Sequence, residues 1–457
     1  MDRVAVGELV ARQRAFFRSG RTRDLAFRRD QLRALRAMLL GAEPRIFEAL
    51  RADLGRPPAE AYAGDTALVR REVDHALRHL SAWARPRRVR SILMHLPARS
   101  EVVPEPYGVV LVMSPWNFPV QLSLNPAVGA IAAGNCAILK PSPLAPATSA
   151  LLAELVARTF DPAHLTVVEG GIEPAEALLR QRLDHVFFTG SPEAGRRVMA
   201  AAALHLTPVT LELGGKSPCI VDADVDLDVA ARRIAWGKFF NAGQTCVAVD
   251  YVLADRRVKA ALLDRLGAAI RTFYGDDARR SPDFGRIVDD RHYERLAGYL
   301  RHGRAVVGGD SSRAERYVAP TVLDGVAPGD PVMEEEIFGP ILPVLEYGEI
   351  AEAIAFVQER PPPLSLYVFS RDGRLVDRVL REVTAGTACV NDAMLQFTST
   401  QLPFGGVGTS GMGRYHGKAS FDAFSRRRAV VRRGFALDLK VRYPPYAGKL
   451  KWLRRLF

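Results

Sequence analysis

The 457-residue chain is poor in cysteine: Cys136, Cys219, Cys246 and Cys389 are scattered and form no C-x-x-C pair. That spacing argues against a disulfide scaffold and makes a reducing compartment, the cytoplasm, the expectation. No run approaches the roughly 18 uninterrupted apolar residues of a membrane-spanning helix. The first twenty residues carry Asp2, Arg3, Glu8, Arg12 and Arg14 without an apolar stretch, so no signal peptide is expected. Internal repeats and low-complexity linkers are also missing. His75 and His79 stand one helical turn apart, but no acidic third ligand accompanies them, so no metal site is expected.

What is plentiful is arginine. Lysine and arginine number 63 against 51 acidic residues, giving a formal charge of +12. The clusters Arg85–Arg90 and Arg426–Arg428 with Arg432 and Arg433 could face an anionic partner. Elsewhere Arg and Glu are interspersed and no nucleic-acid-binding motif occurs, so a solvated surface with some interface arginines is the simpler reading. The tail from Lys449 to Phe457 is short, basic and apolar, and alone would anchor only weakly to a membrane interface.

The length implies two or three domains. Residues 1–82 read as amphipathic helices, with Leu32, Leu35 and Leu39 and then Leu68, Val69 and Val73 at helical spacing. From residue 106 short apolar strands alternate with helices: strands at 107–113, 136–140, 165–168, 185–189 and 209–213. This alternation predicts an α/β fold with a doubly wound parallel sheet whose ligands bind beyond the carboxyl ends of the strands. Asn117, Lys140, Gly190 and Glu212 fall at or just past those ends. Residues 215–415 repeat the alternation less cleanly, with helices at 227–240, 256–273 and 290–301, and 425–445 reads as basic, strand-like sequence.

The run Asn241-Ala-Gly-Gln-Thr-Cys246 lies 34 positions after Glu212, in Leu211-Glu-Leu-Gly-Gly-Lys-Ser-Pro218. A thiol can attack a carbonyl and hold it as a thioester, and a carboxylate can activate the water that releases it. Taken alone, Cys246 reads as a small buried hydrophobe, as most free cysteines are; the neighbouring motifs reverse that. Asn117, fixed between Pro115 and Pro119, offers an amide to an oxyanion or serves a structural turn. Gly190-x-x-x-x-Gly195 follows a strand and opens a helix, which suits a phosphate or an ordinary turn. Glu336 and Phe338, two apart before Gly-Pro, could hold sugar hydroxyls and a flat ring, or form an acidic loop. Two other matches fail: Gly406–Gly411 fits G-x-G-x-x-G without a preceding strand, and Gly214-Gly-Lys-Ser217 lacks a P-loop glycine at Thr210.

Together Pro-Trp-Asn117-Phe-Pro, Lys140-Pro-Ser, Phe-Thr-Gly190-Ser, Leu-Glu212-Leu-Gly-Gly-Lys, Gly-Gln-Thr-Cys246, Glu336-Ile-Phe338-Gly-Pro and Leu-Pro-Phe404-Gly-Gly resemble the aldehyde dehydrogenase superfamily. Gly411-Met-Gly-Arg-Tyr-His-Gly417 and Arg442-Tyr-Pro-Pro445 make the chain most similar to its class 3 branch of fatty, aromatic and coniferyl-type aldehyde dehydrogenases. The resemblance implies a Rossmann-type cofactor domain (1–82 and 103–214), a catalytic domain (215–415), and a bridging segment (83–102 and 425–457) that makes a homodimer. It implies NAD or NADP as cofactor and oxidation of a medium- or long-chain aliphatic or an aromatic aldehyde to its acid through a cysteine thiohemiacetal and thioester. Cys246 would be the nucleophile, Asn117 and the Cys246 N–H the oxyanion hole, and Glu212 the general base, a role also placed at Glu336 in the class 3 branch. Trp116, Lys140, Gly190, Ser191, Gly195, Leu213, Glu336 and Phe338 would hold the cofactor. Pro143 stands where many NAD-preferring relatives have Glu, so NADP tolerance is expected. Some class 3 relatives continue into an apolar membrane anchor; the end at Phe457 without one supports an expectation of a soluble form. Trp116, Phe118, Trp236 and Phe397 could line an apolar tunnel. The alternatives are a CoA-acylating enzyme, which Glu212 argues against, and a non-catalytic structural or binding member.

Overall fold

The computed structural model describes residues 3–91, 95, 97–436 and 438–456. Residues 92–94, 96 and 437 of the expected bridging segment, with Met1, Asp2 and Phe457, lie outside them. Among the described residues a six-stranded sheet runs in the order Gly411–Met412, Val209–Leu213, His185–Gly190, Val109–Met113, Cys136–Lys140, Leu165–Val167. All neighbours are parallel except the short Gly411–Met412 edge.

The strand Val109–Met113 shows why. Successive side chains go to opposite faces. Val109 and Leu111 share a core with Val6, Leu9 and Val10 of the first helix, Arg3–Arg18. Val110 and Val112 share another with Leu32, Leu35, Val69 and Val73 of helices Leu25–Gly41 and Ala67–Ala84. Both faces are covered, so the strand is apolar throughout rather than alternating. The buried helix Pro119–Ala133 fills the centre of the second core, and Asp65 accepts from its Val120 and Gln121 N–H groups at 3.1 and 2.8 Å.

A seven-stranded sheet is built from residues 218–390, parallel except at its Arg304–Val307 edge. A three-stranded antiparallel sheet joins Arg87–Val89, Arg99–Pro106 and Ser425–Arg432. The α/β expectation is thus met. Two expected elements differ. Strand-like sequence over 425–445 yields a strand only to Arg432, because Gly434 and the Pro444-Pro445 pair interrupt it and Lys440–Arg442 is a 3-10 turn. The helix expected from 256 begins at Lys259, because Asp255 turns the chain by accepting from Arg257 N–H at 2.9 Å.

Register places the functional edge. Met113 pairs with Lys140, and Thr189 with Glu212. These strands therefore end together, and the loops after them open onto one cleft.

Candidate active site

Cys246 sits on a strained loop. Asn241, Ala242 and Gly243 have φ of 56°, 51° and 74°. Left-handed backbone at a non-glycine residue costs about 1–3 kcal/mol, so surrounding contacts must hold it. Gly243 packs against the Gly339–Pro340 backbone, where a Cβ would lie 2.3 Å from the Gly339 carbonyl carbon. Gln244 donates to the Asn241 and Arg286 carbonyls at 3.1 and 3.0 Å and accepts from Val288 N–H at 3.0 Å. The glutamine of the Gly-Gln-Thr-Cys run is thus a clamp on the loop.

Asn117 meets this loop directly. Its Nδ2 donates to the Gln244 carbonyl at 3.1 Å, while its own carbonyl accepts from the Asn241 amide at 3.0 Å and from Arg56. Arg56 is fully buried, pairs with buried Asp65, and donates to Asn241 Oδ1 at 3.0 Å. One guanidinium therefore ties the asparagine turn, the cysteine loop and the cap of the central helix together. The Asn117 amide has two N–H bonds, and Gln244 uses one.

Glu212 is only 3% exposed, and neither carboxylate oxygen has a protein partner. Burial pushes its carboxyl well above the usual range, opposed in part by Arg414. Glu336 rises to about 8 through burial and the neighbouring Asp250 charge, against the Gly215 N–H and Lys216. A Cβ at Gly214 would meet Glu336 Oε2 at 1.9 Å, so that glycine is what lets the carboxylate lie on the backbone. Lys216 holds the acidic loop by donating to Asp250 at 2.6 Å and to the Val332 and Glu335 carbonyls at 2.7 and 3.0 Å. Arg295 donates to the Glu336 and Ile337 carbonyls at 3.2 and 2.8 Å. Burial and then Glu336 and Glu212 push the Cys246 thiol up, while the Cys246 and Val247 N–H groups act the other way.

Three spaces meet here. A cleft of about 590 Å³ runs along the strand ends past Lys140, Pro143, Gly190 and Ser191. It adjoins an inner cavity of about 210 Å³ that includes Trp116, Asn117, Glu212, Leu213, Cys246, Glu336 and Phe338. Beyond Cys246 lies a narrow apolar channel of about 90 Å³ between Phe118, Leu122, Trp236, Phe240 and Phe397. The cleft has the features of a phosphate-bearing ligand's site. The helix Pro192–Ala203 points its N-terminus at it, capped by Ser191 Oγ accepting from Ala194 N–H at 3.3 Å. Lys140 lies at its far side, lowered to about 8 mainly by burial. Thr189 Oγ1 is buried without a partner beside it.

The aldehyde dehydrogenase family model matches residues 1–430. The chain belongs to the aldehyde dehydrogenase family. It is 46% identical over 448 residues to aldehyde dehydrogenase family 3 member A2 of Mus musculus, covering 97% of this chain and 93% of that one. It is 45% identical over 448 residues, 98% of this chain and 99% of the other, to a Rattus norvegicus protein named aldehyde dehydrogenase, dimeric NADP-preferring. A solved structure titled as the substrate-bound state of Staphylococcus aureus AldH superposes with a TM-score of 0.97 at 44% identity, covering 99% of both chains. The protein is an aldehyde dehydrogenase, and its likeness to family 3 agrees with the class 3 motifs.

Most of the motif residues converge. Gly195 does not reach the cleft: it lets its helix approach the sheet, since a Cβ there would lie 2.7 Å from Leu213 Cδ2. Trp116 lines the cleft and the inner cavity rather than the apolar channel, because its ring packs edge-on against Phe338 and His292 at 5.3 and 5.1 Å. The Gly406–Gly411 match lies in a 3-10 turn and an edge strand paired with Glu212, not in a βαβ unit. Sequence reasoning did not single out Arg56, Asp65, His292, Arg295 or Leu122. Their roles come from contacts across long stretches of chain, for which spacing carries no signal. Asn241 was the one such residue within reach, since it opens the same glycine turn as Cys246.

Proposed function

We propose that this aldehyde dehydrogenase oxidises apolar aldehydes to carboxylic acids with NAD or NADP, using Cys246 as nucleophile. The observation that carries this reading is the position of Cys246. It stands where the cavity of Asn117, Glu212 and Glu336 meets the apolar channel. An aldehyde whose tail fills that channel presents its carbonyl to the sulfur.

The residues then have distinct tasks. Cys246 gives up its thiol proton to solvent by way of a neighbouring carboxylate, its Sγ bonds the carbonyl carbon, and the free Asn117 N–H with the Cys246 N–H receives the developing oxyanion. The dinucleotide, when bound, supplies the hydride acceptor. Lys140 and Glu336 would hold its ribose hydroxyls, and Ser191 with the helix N-terminus would receive its phosphates. Glu212 takes a proton from the water that attacks the resulting thioester; the acid leaves and the thiol is restored. A carboxyl with a raised pKa suits that transfer near neutrality. A buried base in this place favours water over CoA as acyl acceptor.

Pro143 lines the cleft near Lys140, where a carboxylate would repel a 2′-phosphate. NADP is therefore accepted alongside NAD, in keeping with the name of the Rattus norvegicus relative. Among the described residues no helix is long and apolar enough to cross a membrane. Four free cysteines suit a reducing compartment, and we place the enzyme in the cytoplasm.

The test is formation of reduced cofactor across aliphatic and aromatic aldehydes with NAD and NADP in parallel. The reading expects turnover with both cofactors, rising as the aldehyde becomes more apolar, and loss of turnover in Cys246→Ala. Undiminished turnover in that variant contradicts the role of Cys246. A strong preference for NAD over NADP in kcat/KM contradicts the reading of Pro143.

A further inference from the structure

We propose that Gly64 sets the bore of the substrate channel, and that the π-turn carrying it makes the channel wall and the oxyanion asparagine one mechanical unit. This rests on the reading of the apolar channel as the substrate's. The helix around Ala61 widens into a π-turn over Tyr62–Thr66 before continuing as Ala67–Ala84. Such one-turn bulges are rare and re-aim side chains, often at functional sites. Here the bulge turns Ala63 and Gly64 toward the channel and Asp65 toward Arg56.

Gly64 touches the channel's aromatic lining. A Cβ at this position would lie 2.7 Å from Phe118 Cε1 and 3.2 Å from Phe240 Cε1. Those rings stack with centroids 6.2 Å apart and planes within 16°. Neither side of the contact can retreat easily. Gly64 is held through its neighbour Asp65, which accepts from Arg56 and from the Val120 and Gln121 N–H groups. Phe118 has the Arg56 guanidinium over its ring at 4.6 Å, and Phe240 packs edge-on against Trp236 at 5.6 Å. The free direction for Phe118 is the lumen, toward Leu122 and Cys246. In a channel of about 90 Å³ one added carbon, with the ring it displaces, removes a large share of the space.

The absence of a side chain at Gly64 therefore admits long or broad aldehydes. Glycine is a poorer helix former than alanine, so Gly64→Ala gains in local propensity whatever it does to the channel. The readout is the ratio of kcat/KM for decanal to that for propanal, in which any general disturbance of the neighbouring Asn117 cancels. Gly64→Ala is expected to lower this ratio about tenfold or more. Adding Phe118→Leu gives the new carbon room and is expected to recover part of the loss, leaving the double variant still below Phe118→Leu alone because the added carbon stays in the channel wall.

An unchanged ratio in folded Gly64→Ala overturns the proposal. Should that variant fail to fold, the same ratio is read for Gly64→Ala/Phe118→Leu against Phe118→Leu alone; a lower ratio in the double variant supports the proposal and an equal one overturns it. A wild-type enzyme that prefers propanal instead contradicts the apolar-substrate reading itself, whichever way the variants behave.

Discussion

Three ionisable groups share a small volume at the centre of the site: the Cys246 thiol and the Glu212 and Glu336 carboxyls. Each is pushed toward its neutral form by burial. The thiol gains a further upward push from Glu336 first and Glu212 second, so all three resist carrying charge together. A thiol is neutral below its pKa, and removing a neighbouring negative charge lowers that pKa. Wherever the carboxyls carry charge, Glu336→Gln and Glu212→Gln should each shift alkylation of Cys246 by iodoacetamide to lower pH, with the larger shift at Glu336. Rates of alkylation against pH, with the modified cysteine identified by peptide mapping, read this directly. Profiles that coincide with the wild type would show that the carboxyls do not act on the sulfur.

At the scale of elements, the site depends on a buried ion pair that no chemistry-bearing motif contains. Arg56 holds the Asn117 carbonyl and the Asn241 side chain, and Asp65 balances its charge while capping the helix Pro119–Ala133. Breaking a buried pair strands a charge and costs about 3–5 kcal/mol. Arg56→Leu should therefore lower both the denaturation midpoint and kcat. Arg56→Leu/Asp65→Asn removes the stranded carboxylate, and its asparagine oxygen can still accept from the helix N–H groups. Stability should largely return while kcat stays low, because nothing then holds the Asn117 turn. Midpoint and kcat recovering together would make Arg56 a purely structural residue.

The same contrast explains what the sequence could show. Strands such as Cys136–Lys140 were legible because burial on both faces demands an unbroken apolar run. Asn117, Glu212 and Cys246 stood out because glycine and proline mark the tight turns that bring them into one cavity. The Arg56–Asp65 pair and the π-turn were not legible. Arg56 looks like any surface arginine, and its bond to Asn241 spans 185 positions. A π-turn differs from an α-helix by one residue in a pattern that already tolerates such slips. Gly195 was legible as a glycine with a purpose, but spacing does not distinguish a phosphate approach from close helix packing.

On the scale of the whole molecule, the two large sheets contribute different sides of one cavity and the cleft beside it. The six-stranded sheet brings Asn117, Lys140, Gly190 and Glu212 to its strand ends, and the segment that includes the seven-stranded sheet brings Cys246 and Glu336 to meet them. The covalent step on Cys246 carries the proposed mechanism. It is tested most directly by supplying Glu212→Gln enzyme with cofactor and aldehyde, quenching in acid, and weighing the Cys246 peptide. A stoichiometric burst of reduced cofactor is expected, with a Cys246 peptide heavier by the acyl group. Reduced cofactor formed at the wild-type rate, with Cys246 unmodified and the acyl group absent or carried elsewhere, would contradict it.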